Sequence, residues 1–126
     1  MYSIGMSDFT SEEVINIAKK LRNADLQGLN LVGADLRGTN LSRTDLSEAK
    51  LTGAYLSRVT LFRASLIKAD LTGANLRGAD LSQANLSNAD LRKADLSKAD
   101  LGSANLSDAN LHEAWYNRHT TFPDGF

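Results

Sequence analysis

Leucine falls at every fifth position from Leu21 to Leu111 without a miss, and in most repeats alanine stands two residues before it, as in Ala69-Asp70-Leu71 and Ala74-Asn75-Leu76. Neither regular element accommodates this spacing. A step of five residues advances ~140° past a full helical turn, so successive leucines would scatter around an α-helix and bury no stripe. On a straight strand the odd step sends successive leucines to opposite faces. The alanine resolves the pattern. Residues two apart in an extended stretch share a face, so Ala and Leu point inward. The Asp or Asn between them points outward, as does the Ser, Thr or Arg after the leucine. Three residues separate each leucine from the next alanine, so the chain must turn a corner to bring that alanine back inside. Glycine stands at this corner at positions 28, 33, 38, 53, 73 and 78, where it reaches backbone angles that cost other residues more. Each pentapeptide is therefore one short side and one corner. A chain that turns the same way every five residues winds into a coil, and its coils stack as an all-β solenoid.

The predicted interior is columns of leucine flanked by columns of alanine. Leu29 in an alanine slot predicts a wider interior near the start, and Val59 is expected to fill the interior beside Thr39. Such a stack has two raw edges, and the chain ends read as their covers. In "DFTSEEVINIAKKL", Thr10 with Glu13 fits a capping box and Phe9 with Val14 a hydrophobic staple; Val14, Ile17, Ala18 and Leu21 make one apolar face. The spacing predicts an N-terminal α-helical cap that plugs the first coil. At the other end Trp115, Tyr116, Phe122 and Phe126 offer aromatic surface to seal the last coil. The expected organisation is a leader and capping helix over 1–20, repeats over 21–115 and a C-terminal cap or tail over 116–126. The only proline, Pro123, lies outside the repeat, where it removes no donor from the stack.

The pattern A-(D/N)-L-x-x, as in "ADLRG", "ANLSN" and "ADLSK", resembles the pentapeptide repeat family over residues 24–115. The helical start and the terminal "TTFPDGF" are most similar to its short bacterial, above all cyanobacterial, members. The resemblance implies a right-handed quadrilateral parallel β-helix with four repeats to a coil. At a strand spacing of ~4.8 Å the nearly five coils then make a square rod about 23 Å tall.

Charge and composition narrow the function classes. Fourteen basic residues against fifteen acidic give a net charge of −1, which argues against both a basic face for duplex DNA and a uniformly acidic surface. No cysteine is present, which excludes disulfides and thiolate chemistry. The start, "MYSIGMSDFTSEE", has neither a basic nor an apolar signal region and no stretch approaches 18 apolar residues, so a cytoplasmic protein without a membrane span is expected. Met6 is a candidate native start, and a domain of a longer chain is an alternative reading of the ends.

The chain has eleven aspartates, and eight of them share the slot before leucine with six asparagines. A role that Asn fills equally well needs no charge; both residues hydrogen-bond the backbone of a nearby turn. His112 and His119 lack the spacing and further ligands of a metal site. The serines have no flanking histidine to activate them. No enzyme activity, cofactor or metal is expected.

The informative positions break the surface rule. Phe62 and Ile67 occupy the slot after leucine on consecutive sides, Tyr55 replaces Asp or Asn just before them, and Arg58, Arg63 and Lys68 take three corners in a row. If a coil closes at twenty residues, Arg43 stacks beside Arg63. Apolar groups rimmed by positive charge mark a contact site for an unidentified protein partner, with no direct contact to nucleic acid or membrane. The leading expectation is a non-catalytic rigid scaffold or protein–protein interaction module. A monomer is expected, with pairing through the C-terminal end as the alternative. The resemblance implies a second function, since some pentapeptide repeat proteins regulate DNA gyrase by mimicking DNA. The balanced charge disfavours it, as do Lys50, Thr60, Ser65 and Asn75 in the aspartate columns.

Overall fold

The computed structural model describes Glu13 and residues 23–126. The capping helix expected over the first twenty residues lies outside the described residues apart from Glu13, which is helical and exposed.

Parallel pairings tie each outward residue to one twenty positions further on, from Asp25 with Asp45 to Asp95 with Trp115. A circuit therefore takes twenty residues and four repeats, and the rod has four sides. The first side runs through Asp25, Asp45, Ser65, Asn85 and Asn105; the second through Asn30, Lys50, Asp70, Asp90 and Asn110. The third runs through Asp35, Tyr55, Asn75, Asp95 and Trp115; the fourth through Asn40, Thr60, Asp80, Asp100 and Thr121. The final pairing, Asp100 with Thr121, spans twenty-one residues, one more than every other.

The inward assignment of Leu and Ala holds along the rod. Leu31 to Leu101 and the intervening alanines line one continuous core, each at most 7% exposed. Leu26, Leu106 and Leu111, near the two ends, are only partly buried. Val59 stands in the same column as Thr39, both fully enclosed. Thr39 and Thr44 occupy alanine slots without an orphaned hydroxyl, since each donates to the carbonyl three residues back, Leu36 at 2.6 Å and Leu41 at 2.7 Å. A buried hydroxyl left without a partner would cost about 1–3 kcal/mol.

One repeat shows how the backbone is satisfied. Asp70 N–H donates back to Ala49 (3.0 Å), Leu71 N–H forward to Asp90 (2.7 Å), Gly73 N–H forward to Arg92 (2.9 Å), and Ala74 N–H closes the corner on Leu71 (3.0 Å). The remaining donor, Thr72 N–H, goes to the Asp70 side chain at 3.0 Å. Every N–H of the repeat is used, which lets short sides stack without long strands. The corner is left-handed whether or not it is glycine: φ is 66° at Gly73 and 58° at Lys68. Non-glycine residues hold this conformation at a cost of about 1 kcal/mol or more each, which the enclosed Leu and Ala columns outweigh.

At the C-terminal end Phe122 packs against the core where a leucine would stand. Tyr116 meets it edge-on (centroids 5.5 Å apart) and Phe126 stacks on it (4.9 Å). Trp115, Tyr116 and Phe126 nevertheless stay 71%, 65% and 67% exposed. A cavity of about 380 Å³ remains between Leu111, Ala114 and the three rings of Tyr116, Phe122 and Phe126. The extra residue in the last circuit is absorbed beside Asn117: its Oδ1 accepts from Lys98 N–H (3.1 Å) and from His119 N–H (3.0 Å). Thr120 Oγ1 donates to the Leu96 carbonyl at 2.9 Å.

Candidate interaction surface

The outward slot before leucine does a backbone task. At all fourteen of its Asp and Asn positions, from Asp25 to Asn110, Oδ1 accepts the N–H two residues on. Asp and Asn are interchangeable there because the acceptor is the same carbonyl-type oxygen. Charge is an additional property of the Asp positions. Arg37 bonds both Asp35 carboxylate oxygens (2.8 and 2.7 Å) and Arg92 those of Asp90 (2.9 and 2.6 Å). These guanidiniums hold the Asp35 and Asp90 carboxyls below their ordinary range. Burial pulls Asp70 the other way, but the Thr72 hydroxyl and backbone and the Thr52 hydroxyl outweigh it, and Asp70 is lowered too. Carboxylates so anchored stay ionised at neutral pH, the reverse of what a general acid requires. Among the described residues, no three His, Cys, Asp or Glu side chains are grouped to hold a metal ion.

Four consecutive repeats lack the cap: Lys50, Tyr55, Thr60 and Ser65 occupy the slot, and the N–H groups of Thr52, Ser57, Phe62 and Ile67 find no acceptor among the described residues. These repeats make one complete circuit. Residues 49–68 contain no Asp or Glu and carry Lys50, Arg58, Arg63 and Lys68. The belt is thus cationic and rich in unused donors at a single level of the rod.

The six residues singled out in the sequence all belong to this belt, spread over three sides. Tyr55 is 52% exposed on the third side, with the Arg37 guanidinium 6.0 Å from its ring centroid. Arg58 takes the corner between the third and fourth sides. Phe62 ends the fourth side and turns the corner with Arg63; Ile67 ends the first side and turns the next corner with Lys68. The structure brings Phe62 and Arg63 together at one corner, sets Ile67 with Lys68 at the next, and places Tyr55 on the side opposite that of Ile67. Phe62 and Ile67 are half-buried. The Arg63 guanidinium lies over the Phe62 ring, 5.2 Å from its centroid, and its Nε donates to Gln83 at 2.8 Å. Arg43 shares the Arg63 corner column, as the twenty-residue closure requires. Val32, 57% exposed on the second side, is one outward apolar residue that the sequence reading passed over; it fills the same slot as Phe62 and Ile67.

Stacked four-sided coils, each paired to the next through single residues, define a β-solenoid of pentapeptide units. A family model described as pentapeptide repeats matches residues 20–58, 39–78 and 84–115, in eight copies. The chain belongs to the pentapeptide repeat family, whose members form right-handed quadrilateral β-helices. Among solved structures it is similar to alr5209, a pentapeptide repeat protein from Nostoc, at 36% identity and a TM-score of 0.60 over 92% of this chain and 84% of that one. It is 40% identical to HetL, a pentapeptide repeat protein of Nostoc involved in heterocyst differentiation regulation. That match has a TM-score of 0.54 and covers 75% of this chain but only 44% of HetL. It is 25% identical to QnrB1, a plasmid-mediated fluoroquinolone resistance protein, at a TM-score of 0.52 over 79% of this chain and 58% of that one. The comparison with curated proteins gives no match.

Proposed function

We propose that the protein is a non-catalytic, rigid interaction module that docks a protein partner on the belt, through Tyr55, Arg58, Phe62, Arg63, Ile67 and Lys68. The observation that carries this reading is the loss of the side-chain cap from four successive repeats. A scaffold whose outward slot from Asp25 to Asn110 is otherwise always Asp or Asn gives up four stabilising bonds in one circuit, and there it carries apolar and cationic groups instead. Free N–H donors, a Phe–Arg stack and an aliphatic side chain at the next corner are the ingredients of a contact patch with a polar rim. Family membership supports a binding rather than a chemical role. Mimicry of DNA suits the surface poorly: the belt has no acid, and the third side sets Arg37, Arg58, Arg77 and Lys98 against Asp35 and Asp95.

The test is affinity capture from cell lysate with the wild type and a Phe62→Ser/Ile67→Ser variant side by side. Serine already fills that slot at seven places, including Ser47 and Ser82, so the variant is expected to unfold at the wild-type temperature. A protein retained by the wild type and lost from the variant supports the reading; equal retention overturns the assignment to the belt.

A further inference from the structure

Among the described residues, arginine follows the leucine three times, at Arg37, Arg77 and Arg92. The three differ in what stands two residues earlier. Asp35 and Asp90 draw Arg37 and Arg92 into bidentate pairs, with closest contacts of 2.7 and 2.6 Å. Before Arg77 stands Asn75. Its Oδ1 caps the Arg77 N–H at 3.0 Å, as an aspartate would, but it offers no charge, and Arg77 forms no ion pair among the described residues. Because Oδ1 is used, the amide donors of Asn75 are left for something else.

Arg77 opens on a groove of about 590 Å³ that runs along the third side and onto its corner, lined also by Arg37, Ser57, Arg58, Asn75 and Lys98. Among the described residues, no carboxylate lines it. Arg58 takes the corner with glycine above and below it in the column, Gly38 and Gly78. Its Cγ lies 3.5 Å from where a Cβ on Gly78 would stand. The Arg58 stem therefore crosses bare backbone next to Arg77. Ser57 adds its uncapped N–H and a free hydroxyl, since Tyr55 stands where the capping Asp or Asn would be. Arg58 and Lys98, like Arg77, form no ion pair among the described residues. Three cations without an ion pair, a free backbone N–H, a hydroxyl and an amide share one recess that holds no carboxylate among the described residues.

The geometry points to an oxyanion site on the third side that receives a phosphate group, either a phosphomonoester or the end of a polyphosphate. Arg58 and Arg77 hold the phosphate from successive coils, with Ser57 and Asn75 as neutral donors. A phosphate suits the recess better than a carboxylate. It carries close to two negative charges and three acceptor oxygens arranged in three dimensions, whereas one planar carboxylate satisfies a single guanidinium fork. Lys98, one coil of ~4.8 Å beyond Gly78 in the Arg58 corner column, is placed for a second phosphate. The volume falls in the range of small-molecule sites, about 300–1,000 Å³. This inference does not depend on a partner protein at the belt.

Isothermal titration of the full chain with inorganic pyrophosphate at low ionic strength tests it, using two exchanges that keep the backbone cap. Asn75→Asp is expected to pair Arg77 as Asp35 pairs Arg37 and to weaken binding by about tenfold or more, the scale of losing a charge-assisted contact. Asp35→Asn is expected to release Arg37 at the groove's edge and tighten binding. Both variants are expected to fold as the wild type does, because the slot accepts either residue, and circular dichroism checks this. The phosphate site is overturned if pyrophosphate fails to bind up to about 10 mM, weaker than most specific recognition, or if Asn75→Asp binds as tightly as the wild type. Tighter binding of a hexaglutamate peptide than of pyrophosphate overturns it too, by assigning the groove to carboxylates.

Discussion

The circuit from Lys50 to Lys68 and the one that follows it have closely matched interiors. Leu51, Leu56, Leu61 and Leu66 fill the first, Leu71, Leu76, Leu81 and Leu86 the second, and all are at most 1% exposed. Their exteriors differ. The second circuit carries a side-chain cap at Asp70, Asn75, Asp80 and Asn85; the first finds none among the described residues and has four cations with no acid of its own. The difference shows that the cap is not what makes the chain coil. Leucine and alanine burial with the backbone ladder suffices, so the outer slot can be given to other uses in one circuit without loss of the fold.

Three measurements probe this contrast. The largest effect is expected in the shared interior: Leu56→Ala in the belt and Leu76→Ala beyond it should each cost about 2–5 kcal/mol, from lost transfer energy and a cavity. Equal losses in chemical denaturation would confirm one continuous core, and a much smaller loss at Leu56 would show the belt to be loosely held. A smaller effect should come from exchanging caps within one column. Asn40→Ala should destabilise by about 1 kcal/mol, and Thr60→Asn, which offers an acceptor to the orphaned Phe62 N–H, should stabilise by a similar amount. No gain from Thr60→Asn would mean that water already serves the Phe62 donor as well as a cap does. The smallest effect per group should come from acid. The depressed carboxyls Asp35, Asp70 and Asp90 contribute stability that is present above the ordinary value of 3.8 and lost as pH falls through their lower folded values. Unfolding temperature is therefore expected to be flat from about pH 5 to 8 and to fall below about pH 4. Amide exchange should report the loss in the aspartate-capped circuits before the belt, which has no carboxylate to titrate.

The coil was legible in the sequence because one residue type repeats at a spacing that only a short side plus a corner explains. Ala two before Leu gave the inward face, and the alternation of Asp with Asn gave the backbone role of that slot. The number of sides was not legible from periodicity, since five-residue repeats close equally well on paper with three or five corners; it came with the family resemblance. The belt was legible in part. Phe62 and Ile67 stood out, but their partial burial did not, because it depends on neighbours twenty residues away and on where Arg63 lies. The groove was missed altogether. Its cations sit 19 to 21 residues apart, and whether an arginine is free turns on a single Asp-to-Asn difference two residues before it. Reading the chain as a table twenty columns wide would have exposed both.

The twenty-residue closure also governs how such a chain can change length. Removing four repeats shortens the rod by one storey and leaves every later residue on its former wall. Removing a single pentapeptide turns everything beyond it by a quarter revolution, so that a basic wall becomes continuous with a neutral or acidic one. Gains and losses of twenty residues are thus silent in azimuth, while those of five rewrite the whole surface pattern without disturbing a single core contact type. The twenty-one-residue span from Asp100 to Thr121 is an offset that neither kind of event produces, and it leaves the rod out of phase for any further storey.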